Sequence, residues 1–192
     1  MTTGEVVPPA KRADAERNRS KIIAAARSAF ADPQAEVSMA EVSRRAGVGM
    51  ATLYRNFPGR SDLLEALYID EVDAVCTAAE TLEAATPGAV FVAWLHRFFA
   101  FIVSKHPVGT ELLKHAEGNV PVMGESRRRV VEAGRPLFLA ARQAGEVRED
   151  LTLEQILDMI VAIAAINGKS EYLEPILRAA LDGLSLTWSF EG

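Results

Sequence analysis

Apolar residues recur along this chain at intervals of three and four, and nowhere does a period-two alternation persist between turns, so the pattern predicts helices and no strand. Ile22, Ile23, Ala26, Ala29 and Phe30 mark a helix from Asp14 to about Ala31, ended by Pro33. Ser38 and Glu41 have the S-x-x-E spacing of a capping box and open a second helix, with Met39, Val42 and Ala46 on its inner face. Gly47 supplies a left-handed stop, and Gly49 leads into a third helix whose Leu53 and Phe57, four apart, turn inward. Pro58-Gly59 is a turn. Ser61-Asp62 then caps a long helix to about Ala85, with Leu64, Leu67, Tyr68, Val72 and Val75 facing a core. Thr86-Pro87 starts a helix to Lys105, stopped by Pro107, and a shorter one follows over 109–117. After a loop at 118–124, a helix spans about Glu125 to Ala144, kinked at Pro136 and closed by Gly145. Thr152 and Gln155 form another capping box and open a helix to about Ile166, stopped by Asn167-Gly168. The last helix covers about 172–185. The result is an all-α chain of nine helices.

Residues 1–13 carry Gly4, Pro8 and Pro9 and no apolar period, and read as a mobile arm. Residues 14–61 form one helical unit. Residues 62–192 form a second, joined to the first through the long helix that starts near Asp62.

Two short helices joined by a glycine turn have the layout of a helix-turn-helix, which lays its second helix in the DNA major groove. The inward turn of Leu53 and Phe57 leaves Met50, Ala51, Thr52, Tyr54 and Asn56 for water or DNA. Tyr54 can donate its hydroxyl to a phosphate oxygen. Thr52 can meet a phosphate or place its methyl against a thymine. Met50 and Ala51, at the helix start, are the base-edge candidates. They lack the paired donors that recognise guanine and would select by methyl contact and shape, leaving other readout to Ala40, Arg44 or the arm. Backbone N–H groups behind Ser38 and Met39 face a phosphate in this arrangement. Lys11 and Arg12 are candidates for a minor groove, with a solvated tail as the alternative.

The run from Ala46 to Leu64 (AGVGMATLYRNFPGRSDLL) closely resembles the helix-turn-helix signature of the TetR family of bacterial transcription regulators. That signature has a Gly-Val turn, Thr-Leu-Tyr, a Phe, a short turn with a basic residue, and an apolar helix. The specific match covers about residues 15–70; the remainder resembles the family in length and helical texture. Gly49 stands where many members carry a capping Ser, which implies a softer helix start, and Asn56 stands where His or Tyr is more usual. The resemblance implies DNA binding through Ser38, Met39, Ala40, Arg44, Gly49, Met50, Ala51, Thr52, Tyr54, Arg55, Asn56 and Arg60, the last as a basic phosphate clamp. It also implies a homodimer through a four-helix bundle of the last two long helices, about 153–166 and 172–185.

Charge strengthens this picture. The net charge of −5 divides into +4 over residues 1–60 and −9 over 61–192, a basic head on an acidic body that would orient the molecule on a duplex. A single cysteine excludes an internal disulfide framework and suits a reducing cytoplasm. The hydrophobic content of 49 % is ordinary for a globular protein. Residues 1–14 show no secretory signal. The most apolar run, Ala89 to Val103, is broken by His96 and Arg97 and is shorter than the roughly 20 residues of a membrane span, so it is expected to be a buried helix.

The body carries the second set of candidates. Ile160 to Ile166 is apolar all round and needs burial on most sides, either centrally or against a second subunit together with Leu173, Ile176, Leu177, Ala180, Leu181 and Leu184. A dimer would place two recognition helices one DNA turn apart, about 34–36 Å, on a near-palindromic operator. Trp94, Phe98, Phe101, Met123, Phe138 and Met159, with His115, Arg142 and Asn167 among them, suit either plain core or a pocket for a small hydrophobic or aromatic effector. His106 and His115 lack a zinc pattern, and Gly47-Val48-Gly49 follows no strand and lacks the third glycine of a dinucleotide loop. Cys76, among alanines, reads as a small core residue. Neither a catalytic constellation nor a metal or cofactor is expected. The expected function is a cytoplasmic, ligand-responsive dimeric repressor; an all-α enzyme or carrier with the hairpin as scaffold is the rival.

Overall fold

The computed structural model describes residues 9–30, 37–115 and 121–185, of which 9–12, 105–115 and 121 by backbone alone. Eight helices form among them: α1 (Pro9–Phe30), α2 (Met39–Ala46), α3 (Met50–Asn56), α4 (Arg60–Thr81), α5 (Pro87–His115), α6 (Pro121–Gln143), α7 (Leu153–Ala164) and α8 (Ser170–Asp182). The described residues form no strand, only an isolated bridge between Val147 and Ser185. The all-α reading holds, and eight helices replace the expected nine.

The missing boundary is Pro107. An interior proline removes one helical hydrogen bond and costs about 3 kcal/mol. Yet α5 runs through it as one 29-residue helix. The earlier turns of α5 bury Phe91, Trp94, Leu95, Phe98, Phe99 and Phe101, which gives the helix a strong reason to persist. Prolines also explain two early starts. Pro9 and Pro121 each open a helix, where the absent N–H is no loss. Residues 9–13 are therefore helix rather than arm, and 121–124 helix rather than loop; residues 1–8 and 116–120 lie outside the described residues. α4 begins at Arg60, not after Ser61. Asp62 reaches back to accept the Gly59 N–H at 2.8 Å, and the helix ends at Thr81, short of Ala85.

Capping boxes divide in a similar way. At α7 both legs form: Thr152 N–H donates to Gln155 Oε1 (2.8 Å), and Gln155 N–H donates to Thr152 Oγ1 (3.2 Å). At α2 only the Ser38 leg forms, accepting from Glu41 N–H at 3.1 Å. The Glu41 carboxylate is instead turned toward Arg44 (2.7 Å) and Arg45 (2.6 Å), two guanidinium partners one turn on that take its oxygens away from the helix start.

Two cores result. α1, α2 and α3 close over Ile22, Ala26, Val42, Leu53 and Phe57, joined by Leu63, Leu64 and Leu67 from the first half of α4. The second half of α4 supplies Val72 and Val75 to a larger core with α5 to α8. α4 is therefore shared by head and body, and Tyr68 packs against both cores. The Pro87–Ser104 stretch of α5 is apolar and long enough by length and composition to cross a membrane, but its large side chains pack against α4, α6 and α7 as a core helix. Its Trp94 ring lies so close to Gly134 of α6 that a Cβ there would sit 2.2 Å from the ring.

Candidate nucleic-acid interface and ligand cavity

The turn between α2 and α3 is fixed by three bonds and one backbone conformation. Gly47 adopts φ 64°, the left-handed region that glycine alone enters without strain. Its N–H donates to Arg44 O, and Val48 N–H donates to Ser43 O, each at 3.2 Å. The Ser43 hydroxyl, buried behind the turn, donates to the Val48 carbonyl at 2.6 Å. The helical pattern alone does not single out Ser43; its one signal is a small polar residue on the inner face of an otherwise apolar stripe. Gly49 then enters α3 in extended conformation, with no side chain to cap it.

α3 is pinned from beneath. Leu53 and Phe57 are fully buried, and the Arg19 guanidinium of α1 lies over the Phe57 ring, 4.6 Å from its centroid. This anchoring turns Met50, Ala51, Tyr54 and Arg55, at positions i, i+1, i+4 and i+5, outward on one face. Met50 is 39 % and Tyr54 46 % exposed. The other expected contact residues divide. Ser38, Ala40, Arg44 and Gly49 are exposed, Arg44 on a fork to Glu41. Met39 is half-buried against the head core. Thr52 is half-buried and accepts from Arg55 at 3.0 Å, while Asn56 donates from Nδ2 to the Thr52 carbonyl at 2.8 Å. Arg60 is folded back, donating to the Val37 carbonyl with its guanidinium 5.3 Å from the Phe30 ring centroid.

The body holds a cavity of about 210 Å³ between α4, α5, α6 and α7. Three of the expected pocket residues line it: Phe98, Phe101 and Met123. Trp94 and Phe138 are solid core. Trp94 donates its indole N–H to the Val75 carbonyl at 3.1 Å, and both rings pack on Phe91. Arg142 lies over Phe138 and donates to the Glu149 carbonyl at 3.1 Å, away from the cavity. Met159 packs on the core without lining it, and Asn167 is exposed beyond α7. The side chain of His115 lies outside the described residues. Tyr68, Ser126, Val130 and Leu157 line the cavity in addition to the expected residues. Met123, Ser126, Arg127 and Val130 recur at three- and four-residue spacing, a stripe legible on α6 but interrupted by polar side chains.

A second cleft of about 390 Å³ lies between α1, α4 and α5, where head meets body. Arg27 of α1 crosses it, pairing with Asp70 and, at 2.5 Å, with Glu71 of α4. Phe101 lines both hollows, and Met123 packs against the head core as well as lining the inner cavity.

Residues 22–67 match the N-terminal domain described as bacterial regulatory proteins, tetR family. Residues 86–186, more than half of the chain, match the C-terminal domain of SbtR-like transcriptional regulators. The chain belongs to the TetR family. It is a DNA-binding transcription regulator, and the helix-turn-helix carries that role. A TetR transcriptional regulator from Streptomyces coelicolor, SCO0520, is 32 % identical, with a TM-score of 0.72 over 87 % of this chain and 98 % of that one. A TetR regulatory protein from Mycobacterium vanbaalenii is 29 % identical, again with a TM-score of 0.72, over 91 % and 99 %. FadR from Bacillus subtilis in complex with stearoyl-CoA shares the fold at 18 % identity and a TM-score of 0.60, over 88 % and 99 %. No curated protein gives a significant match.

Proposed function

We propose that this TetR family regulator is a homodimeric, non-enzymatic repressor of the cytoplasm that binds a near-palindromic operator and is released by a small hydrophobic or aromatic effector. The observation that carries the reading is the outer face of α3, held clear of the head by the buried Leu53 and Phe57. On DNA, Tyr54 donates to a phosphate and Met50 and Ala51 meet base edges. Thr52 and Arg55 support them, and the backbone behind Ser38 takes a further phosphate. Arg60 must leave Phe30 and Val37 to act as a clamp, and Asn56 must give up its bond to Thr52.

Support for pairing comes from α7 and α8. Their inward residues Ile160, Ile163, Leu173, Leu177 and Leu181 fill the chain's own core. Val161, Ala162, Ala165, Ile166 and Tyr172 remain exposed, an apolar, small-residue face suited to close helix packing against a second copy. Release follows from the cavity's position. Tyr68 and Met123 reach from its wall to the head core, so an occupant that prefers one setting of α4 shifts the heads with it. A hundredfold loss of operator affinity needs only about 2.7 kcal/mol of coupling.

Selection of bound fragments from the source genome tests this reading. Tyr54→Phe should weaken every selected operator alike, and Met50 substitutions should change sequence preference. Sedimentation should give a dimer at micromolar concentration. A solitary molecule contradicts the pairing, and altered preference with intact affinity in Tyr54→Phe contradicts the division of labour along α3.

A further inference from the structure

Glu41 places a carboxylate on the helix-turn-helix itself, in the first turn of α2. An anion on the DNA-binding head repels a duplex. Capping does not account for it, since only the Ser38 leg of the box forms and Ser38 needs no help from the Glu41 side chain. Stability alone accounts for little, because exposed ion pairs one turn apart on a helix contribute weakly.

One carboxylate serves two guanidinium groups. Oε2 accepts from Arg44 Nε at 2.9 Å, and Oε1 accepts from both Arg44 Nη2 (2.7 Å) and Arg45 Nε (2.6 Å). Bonds from Arg45 and Arg44 hold the carboxyl below its ordinary pKa, so it is charged at neutral pH. The three side chains therefore carry one net positive charge rather than two. Both arginines are held through the inner Nε edge. Arg44 Nη1 and the two terminal nitrogens of Arg45 make no hydrogen bond to any described residue. The Arg44 side chain is 74 % exposed and that of Arg45 37 %. Each guanidinium is thus pinned at its base and open at its tip. A pinned arginine meets a phosphate or a base only where docking brings one to it, whereas a free one swings to any phosphate within reach.

Resting on the reading that α2 and α3 face the operator, we infer that Glu41 is a specificity-determining residue, which neutralises and pins Arg44 and Arg45 and so lowers the attraction of the head to arbitrary sequence. Non-specific affinity is set by phosphates and the counterions they release, so a cancelled charge is felt there first. Operator affinity draws in addition on Met50, Ala51 and Tyr54 of α3, none of which Glu41 touches. The two arginines are reserved for a duplex already seated on α3.

Glu41→Gln keeps the shape of the side chain and removes its charge. Titration of the full chain over a range of salt concentrations tests the inference, with a random-sequence duplex and with a genomic fragment selected by the wild type as probes. Glu41→Gln should bind the random duplex about 10-fold more tightly at about 50 mM salt, and the log–log salt slope should steepen by about 1 for each further phosphate contacted. The gain on the selected fragment should be smaller, so discrimination falls. Adding Arg44→Gln and Arg45→Gln to Glu41→Gln should abolish the gain, and Glu41→Asp, which keeps the charge, should show less than half of it. A head that is only destabilised would lose affinity for both probes and gain for neither. Unchanged or weaker binding of the random duplex by Glu41→Gln overturns the inference, as does an equal gain on both probes or a gain that survives loss of the two arginines. A wild type that prefers no genomic fragment, with the gain on random duplex intact, upholds the charge cancellation by Glu41 and defeats the operator reading instead.

Discussion

Gly47 sets the angle at which α3 leaves α2, and its replacement separates conformational strain from packing. The residue sits at φ 64°, and a Cβ built there meets nothing within 4 Å. Gly47→Ala therefore introduces no clash; it costs only the left-handed backbone, about 1–2 kcal/mol for an L residue. A more restricted unfolded chain offsets part of this, leaving about 1 kcal/mol of net loss. In a domain of this size that lowers the melting midpoint by about 2–4 °C. Asn, which tolerates the left-handed region, should recover about half of the loss. Pro cannot reach this φ and would lose the N–H bond to Arg44, so it should cost more than about 3 kcal/mol. The control is Gly145, which closes α6 at φ 69° with equally open surroundings. Gly145→Ala should destabilise by a similar amount. Operator affinity, measured well below the transition, separates the two, since only Gly47→Ala should reduce it. Equal stability of Gly47→Ala and wild type, or equal loss of operator affinity in both variants, refutes the argument.

Gly49 caps α3 without a side chain and has open space around it, so Gly49→Ser should stabilise the head by about 0.5–1 kcal/mol in chemical denaturation. Gly134→Ala gains helix propensity of about 1 kcal/mol but drives a methyl into the buried Trp94 ring; a net loss of about 1–2 kcal/mol, with a shifted tryptophan emission, is expected. Bonds from Arg45 and Arg44 hold the Glu41 carboxyl below its ordinary pKa. Its contribution is then fully present above the ordinary glutamate range and disappears as pH falls through the lowered value. Glu41→Gln should accordingly lower stability by a constant amount above pH of about 6, and the difference from wild type should shrink as pH falls through the acid limb.

The head was legible because its signals are local. Ser38, Gly47, Leu53 and Phe57 act within a few residues of one another, and each takes the position its pattern predicts. What escaped depends on partners far along the chain. Pro107 looks like a stop until the burial of α5 against three other helices is known. Glu41 looks like half of a capping box until Arg44 and Arg45 compete for it. Arg60 looks exposed until Phe30 and the Val37 carbonyl come alongside. In the body, aromatic residues mark apolar volume but do not say which of it is filled. Trp94 and Phe138 are solid core because Gly134 and Phe91 close around them. The hollow begins one turn further along α5, where Phe98, stacked on Trp94, joins Phe101, Tyr68 and Ser126 in its lining. Nothing in the spacing of Met123, Ser126, Arg127 and Val130 along α6 distinguishes a wall of that hollow from a half-solvated helix face.

The central claim is that two copies of α3 enter a major groove and are held there chiefly through phosphates. The salt dependence of operator affinity tests it directly. If each head neutralises three or four phosphates, a dimer should lose roughly three to four orders of magnitude in affinity between 50 and 200 mM salt. A nearly flat response over that range would contradict groove binding by this head.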